Sequence, residues 1–151
     1  MDGEKVSVKA ISDKAEAFEG RMEAFIMDFG GDILWNETIG CRLQADESAD
    51  LMSVDAALLD GNRLLYVRIL KDGVTVSENT FYTRFPKEYE YGCPEISFEV
   101  QECAEGLELT VSSDRLARGL YLFSDNADDF FEDNYMDLLP GFPRKITVRT
   151  G

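Results

Sequence analysis

The chain has 151 residues, is 44% hydrophobic, and carries 15 Lys and Arg against 30 Asp and Glu, a formal net charge of −15. That length suits one average domain or two small ones with an ordinary apolar core. The complete absence of histidine excludes a Ser-His-Asp triad, a Cys-His pair and a His-ligated zinc, and the acidity argues against binding to nucleic-acid phosphates.

The opening segment, Met1-Asp2-Gly3-Glu4-Lys5, has no basic region followed by an apolar run, so no signal peptide is read there. A strand is expected over Val6–Ile11. Because it begins almost at once, the chain is expected to be an excised part of a longer protein. No stretch of about 20 apolar residues suggests a membrane span.

Gly30-Gly31 marks a turn, followed by a strand in which Ile33, Trp35, Ile39, Cys41 and Leu43 share parity. Trp35 is therefore expected on a buried core face. Ala45–Leu59 is ambiguous. A strand near Met52–Leu58 is expected, with a helical turn over Ala56–Leu59 as the rival form. Leu65, Val67 and Ile69 alternate with Tyr66 and Arg68, between turn signals at Asp60-Gly61-Asn62 and Asp72-Gly73. Pro86-Lys87-Glu88 and Gly92-Cys93-Pro94 then break the alternation, since proline gives a ladder no N–H.

Alternation resumes with Ile96, Phe98 and Val100, then Leu107, Leu109 and Val111 after Glu105-Gly106, and finally Ile146 and Val148 after Pro140-Gly141. Each segment is expected to bury its apolar face. Many short alternating strands between turns predict an all-β protein of antiparallel sandwiches. About six strands precede the break and four or five follow it, so two tandem sandwiches are expected, over 1–90 and 91–151.

Three groups of residues invite a chemical reading. Trp35-Asn36-Glu37 resembles the Asn-Glu pair of sugar-cleaving enzymes. Glycoside hydrolysis, however, needs two carboxylates about 5–10 Å apart, and the chain is far shorter than the roughly 250 residues of a (β/α)8 barrel. Asp125, Asp128, Asp129, Glu132, Asp133 and Asp137 offer hard oxygen ligands. Their spacing lacks the EF-hand order, so a loop whose Asx side chains cap turns is expected and no metal. Tyr82, Tyr89, Tyr91, Phe130, Phe131 and Tyr135 could line a sugar platform or pack between modules. Cys41, Cys93 and Cys103 contain no CxxC and leave one thiol over in any pairing, so all three are expected to be reduced.

The C-terminal part carries the most specific motif: Ser112–Leu122, then Asp133-Asn134-Tyr135-Met136-Asp137-Leu138-Leu139-Pro140-Gly141, then Arg144–Val148. It resembles the closing immunoglobulin-like domain of glycoside hydrolase family 2 β-mannosidases. The first half, with Asp28-Phe29-Gly30-Gly31, Leu34-Trp35, Ser77-Glu78-Asn79 and Pro86-Lys87, is similar to the module that precedes it. The motif also reads physically as a structural corner: Asp133, Asn134 and Asp137 bond nearby backbone, and Pro140-Gly141 reverses the chain.

The resemblance implies two immunoglobulin-like sandwiches that pack on, and stabilise, the catalytic barrel of a retaining β-mannosidase acting on terminal β-linked mannose. Both catalytic glutamates of such enzymes lie in that barrel, so no catalytic, cofactor-binding or metal residue is expected in this chain. An independent carbohydrate-binding module and a protein-interaction sandwich are the alternatives. The expected partners are the barrel, within the same polypeptide, and a carbohydrate; nucleic acid and membrane are not expected. The compartment is not read, because it depends on the parent's N-terminus.

Overall fold

The structure, a computed structural model, describes residues 3–13 and 15–150. Met1 and Asp2 of the opening segment lie outside the described residues, as do Lys14 and Gly151. The regular structure of the described chain is strand apart from two short 3₁₀ turns, and matches the all-β expectation. It divides into two compact units: Met1–Asp28 with Asp32–Glu90, and Phe29–Gly31 with Tyr91–Gly151.

The first unit holds β1 (Lys5–Ile11), β2 (Phe18–Asp28), β3 (Ile33–Leu43), β4 (Ser48–Asp55), β5 (Arg63–Lys71) and β6 (Val74–Phe81). Its sheets are β3-β2-β5-β6 and β1-β4, with antiparallel pairing. Residues directly opposite one another share a face. Ile26 thus stands between Trp35 and Leu65, Ala24 between Glu37 and Val67, and Met22 between Ile39 and Ile69. On this inner face Met22, Ala24, Ile26, Cys41, Leu43 and Leu65 are buried, and Ala10, Val54 and Leu59 complete the core.

The other face of the same sheet is organised by polar and aromatic pairs. Phe25 faces Tyr66 and Glu23 faces Arg68 in register. The Phe25 and Tyr66 rings stack at 6.1 Å, and the Arg68 guanidinium lies 5.8 Å from the Phe25 centroid. Arg68 also donates to Glu23 at 2.7 and 2.8 Å, so its charge is paired on the sheet surface. The β5–β6 hairpin closes through Asp72 (φ +52°) and Gly73 (φ +82°). Both residues are left-handed, as the two-residue turn that follows strand twist requires.

Two expectations need correction in this unit. The strand expected to continue to Leu58 ends at Asp55, and Ala56–Leu59 is a 3₁₀ turn. The Asp55 side chain accepts from Ala57 N–H at 2.9 Å, which starts the turn and drives Leu59 into the core. Trp35 shares the core parity but is half-buried and packs against the cluster from its margin. The cause is position: β3 is an edge strand, and a bulge between Ile26 and Met27 ends its regular register beside Trp35.

The second unit holds β7 (Ile96–Cys103), β8 (Gly106–Ser113), β9 (Ala117–Leu120), β10 (Phe130–Phe131), β11 (Met136–Leu138) and β12 (Arg144–Arg149). The sheet β10-β12-β8-β7 faces the two-stranded sheet β11-β9. Leu109, Val111, Ile146 and Val148 from one meet Ala117, Met136 and Leu138 from the other. Here a third expectation fails: every residue of β7 is exposed, Phe98 at 67%. Phe98 and Val100 stand opposite Val111 and Leu109, hence on the core face. The core forms only where β8 and β12 meet the two strands of the other sheet, and edge strand β7 projects past that cover.

Candidate functional site

The motif Asp133–Gly141 lies in the second unit, and its residues have identifiable tasks. Asp133 Oδ1 accepts from Asn134 N–H at 2.9 Å. The Asn134 carboxamide bonds both backbone groups of Leu122: Leu122 N–H donates to Oδ1 and Nδ2 donates to Leu122 C=O, each at 2.7 Å. The same Oδ1 accepts from Tyr135 N–H at 3.1 Å. Asn134 thus acts as a surrogate strand, satisfying backbone groups that no ladder reaches.

Asp137 seals a bulge. Met136 pairs with Leu120 and Leu138 with Ala117, so Asp137 alone opposes both Arg118 and Gly119. Gly119 adopts φ +63°, and its N–H donates to Asp137 Oδ1 at 2.9 Å. Arg118 Nε donates to Oδ2 at 3.3 Å and brings the compensating charge. Pro140 and Gly141 sit between Leu139 and Phe142, whose N–H donates to the Leu139 carbonyl at 3.1 Å. Gly141 has φ +80°, the value a type II turn demands at that position.

The aromatic residues singled out from sequence are spread over both units. Tyr82 and Tyr89 meet edge-on at 6.0 Å in the first unit, and Tyr89 is buried. Tyr91 stacks on Phe29 at 5.5 Å in the second, and Phe131 packs against the second core. Tyr135 instead belongs to an exposed row with two residues the sequence reading left out, Tyr121 and Phe123. Tyr121 lies 4.9 Å from Tyr135 and 6.2 Å from Phe123, both pairs near-parallel. The three are 54, 72 and 73% exposed, in the order Tyr121, Tyr135, Phe123. The available signal was the Tyr-x-Phe spacing, which puts Tyr121 and Phe123 on one side of an extended segment. Tyr135 has φ +57°, a conformation costing a non-glycine residue about 1 kcal/mol or more, and the Asn134 bond helps to hold it.

The acidic loop before the motif is knitted by its own turns. Ser124 Oγ and Asn126 Nδ2 donate to the two oxygens of Asp129 at 2.7 and 2.9 Å, and Asp128 N–H donates to Asn126 Oδ1 at 3.3 Å. No group of three or more acidic or cysteine side chains among the described residues is arranged to hold a metal. In the first unit Asn36 and Glu37 are exposed neighbours on β3 and point to opposite faces of the sheet. Cys41 is buried, which pushes its thiol pKa up, while Cys93 and Cys103 are exposed free thiols. Among the described residues no helix is long and apolar enough to cross a membrane.

Comparison with known proteins follows the same division of the chain. Residues 4–88 match the family described as the mannosidase Ig/CBM-like domain, and residues 93–151 match an Ig-fold domain named for mannosidases. No curated protein sequence matches significantly. Among solved structures, the β-D-mannosidase of Dictyoglomus thermophilum superposes with a TM-score of 0.87 at 22% identity, covering 97% of this chain and 18% of that one. The exo-chitosanase CsxA of Amycolatopsis orientalis gives a TM-score of 0.65 at 16% identity, covering 94% of this chain and 22% of that one. The chain therefore spans about a fifth of the length of these structures and shares their fold over that part. With more than half of its residues matched, it belongs to the mannosidase Ig/CBM-like domain family, followed in the same chain by a mannosidase-type Ig-fold domain.

Proposed function

We propose that this chain is the non-catalytic accessory region of a retaining β-mannosidase of the glycoside hydrolase family 2 type, whose catalytic barrel lies elsewhere in the parent polypeptide. Residues 1–90 and 91–151 are its two domains in this reading, and they pack on and stabilise that barrel. The observation that carries it is the pair of mannosidase-type domain matches spanning nearly the whole chain. The residues of the corner motif support it, because their side chains are committed to holding backbone. Asn36, a neutral carboxamide on the opposite face of β3, is not a second carboxylate for Glu37.

Two measurements test the proposal. The coding sequence around this chain is expected to encode a barrel with two suitably spaced glutamates, and the parent is expected to cleave an aryl β-mannoside. The 151-residue chain by itself is expected to show no turnover. Turnover that survives repurification and is abolished by Glu37→Gln would overturn it, as would a parent sequence without a hydrolase barrel.

A further inference from the structure

We infer that Tyr121, Phe123 and Tyr135 form a carbohydrate-binding platform that stacks on the pyranose rings of an oligosaccharide. The inference rests on the reading of this chain as an accessory region of a carbohydrate-active enzyme. Three near-parallel rings in a row, each more than half exposed, make an apolar surface that folding has left in water. Neither phenol hydroxyl has a hydrogen-bond partner among the described residues, so both are available to a ligand.

The row is also fixed in place. Leu122, whose N–H and C=O are both held by Asn134, lies between Tyr121 and Phe123 in sequence, and the same carboxamide holds the N–H of Tyr135. One side chain thus anchors the backbone that carries all three rings. A rigid aromatic surface loses little freedom on binding, which is the condition for useful affinity from a shallow contact.

The surroundings select the chemistry of the ligand. The rings rise from a segment rich in carboxylates, with Asp125, Asp128 and Asp133 all exposed nearby in sequence. A protein surface closing over the rings would have to desolvate those charges, which is costly. A net charge of −15 repels phosphates and anionic polymers. A sugar suits both features: it is uncharged or cationic, its C–H face stacks on the rings, and its hydroxyls meet the phenols while staying wet. The stacking face is shared by neutral and amino sugars, so the source is decided by experiment.

The test is an NMR titration of the 151-residue chain with two probes, β-1,4-mannohexaose and a glucosamine hexamer. Shifts are expected at Tyr121, Phe123 and Tyr135 with at least one probe. Tyr121→Ala and Phe123→Ala are each expected to weaken binding about tenfold with unchanged melting, because the side chains are exposed, whereas Phe123→Tyr retains it. Binding of the glucosamine probe alone that survives both alanine variants and vanishes in high salt would assign it to the carboxylates and overturn the platform. Absence of binding by both probes would overturn it too and leave protein as the occupant. Loss of binding beside an intact hydrolase barrel in the parent refutes the platform alone; binding by a chain whose parent lacks the barrel refutes the accessory reading alone.

Discussion

Asn134→Ala tests the corner most directly. The substitution removes three hydrogen bonds, two of 2.7 Å to Leu122 and one of 3.1 Å to Tyr135. At about 1 kcal/mol each, with some recovery by water at half-buried Leu122, the loss should be about 2–3 kcal/mol. That is a large share of the roughly 5–15 kcal/mol that holds a typical domain. Urea denaturation followed by far-UV circular dichroism should show it as a midpoint lowered by about 1 M or more, for a slope of about 1–3 kcal/mol per M. Asn134→Asp sharpens the test. At neutral pH it keeps the acceptor but sets a second oxygen against the Leu122 carbonyl. The aspartate should therefore also destabilise the second unit, because the donor to the Leu122 carbonyl is lost. A loss below about 0.5 kcal/mol for the alanine variant, the range of ordinary surface substitutions, would refute the reasoning.

Three further outcomes are expected. In Gly106→Ala the new Cβ would meet the Val148 carbonyl oxygen at 2.4 Å, at a φ of +135°; the second unit should lose about 1–3 kcal/mol, read as a lowered melting temperature. Trp35→Ala should cost about 2 kcal/mol, less than the roughly 3–5 kcal/mol of a fully buried tryptophan, because the ring packs only at the core margin; chemical denaturation followed by circular dichroism checks it. The Glu95 N–H bond at 2.8 Å, with help from Arg115, holds the Asp114 carboxyl below the usual aspartate range. Its contribution is present above the ordinary aspartate value and lost as pH falls through the lowered one, so Asp114→Asn should flatten the acid limb of the melting-temperature profile.

What the sequence made legible was set by local chemistry. The turn at Asp72-Gly73 and the reversal at Pro140-Gly141 were readable because each needs residue types that admit specific dihedrals. Strand β2, the central strand of the first sheet, went unread: its inner row is Gly20, Met22, Ala24 and Ile26, and Gly, Met and Ala carry little of the β-branched signal. The 3₁₀ turn at Ala56–Leu59 depends on one capping bond from Asp55. Burial was the least legible property, since alternation gives a side chain's face but not whether another layer covers it. The half-burial of Trp35 and the exposure of β7 follow from strand order, a non-local fact. In the candidate site, Asp133, Asn134 and Asp137 could be read as backbone binders, whereas the meeting of Tyr121 with Tyr135 spans a loop whose path no local pattern encodes.

The uncovered row on β7 bears on how the protein behaves in concentrated solution. Ile96, Phe98 and Val100 line a strand at the end of its sheet, the arrangement that invites edge-to-edge association between molecules. Glu95, Glu99 and Glu102 interrupt the same stretch, and charges so placed act as gatekeepers against ordered stacking. Colloidal solubility is therefore tied to the charge of this stretch, and replacing Glu95, Glu99 and Glu102 by glutamine should bring turbidity in concentrated solution without loss of secondary structure.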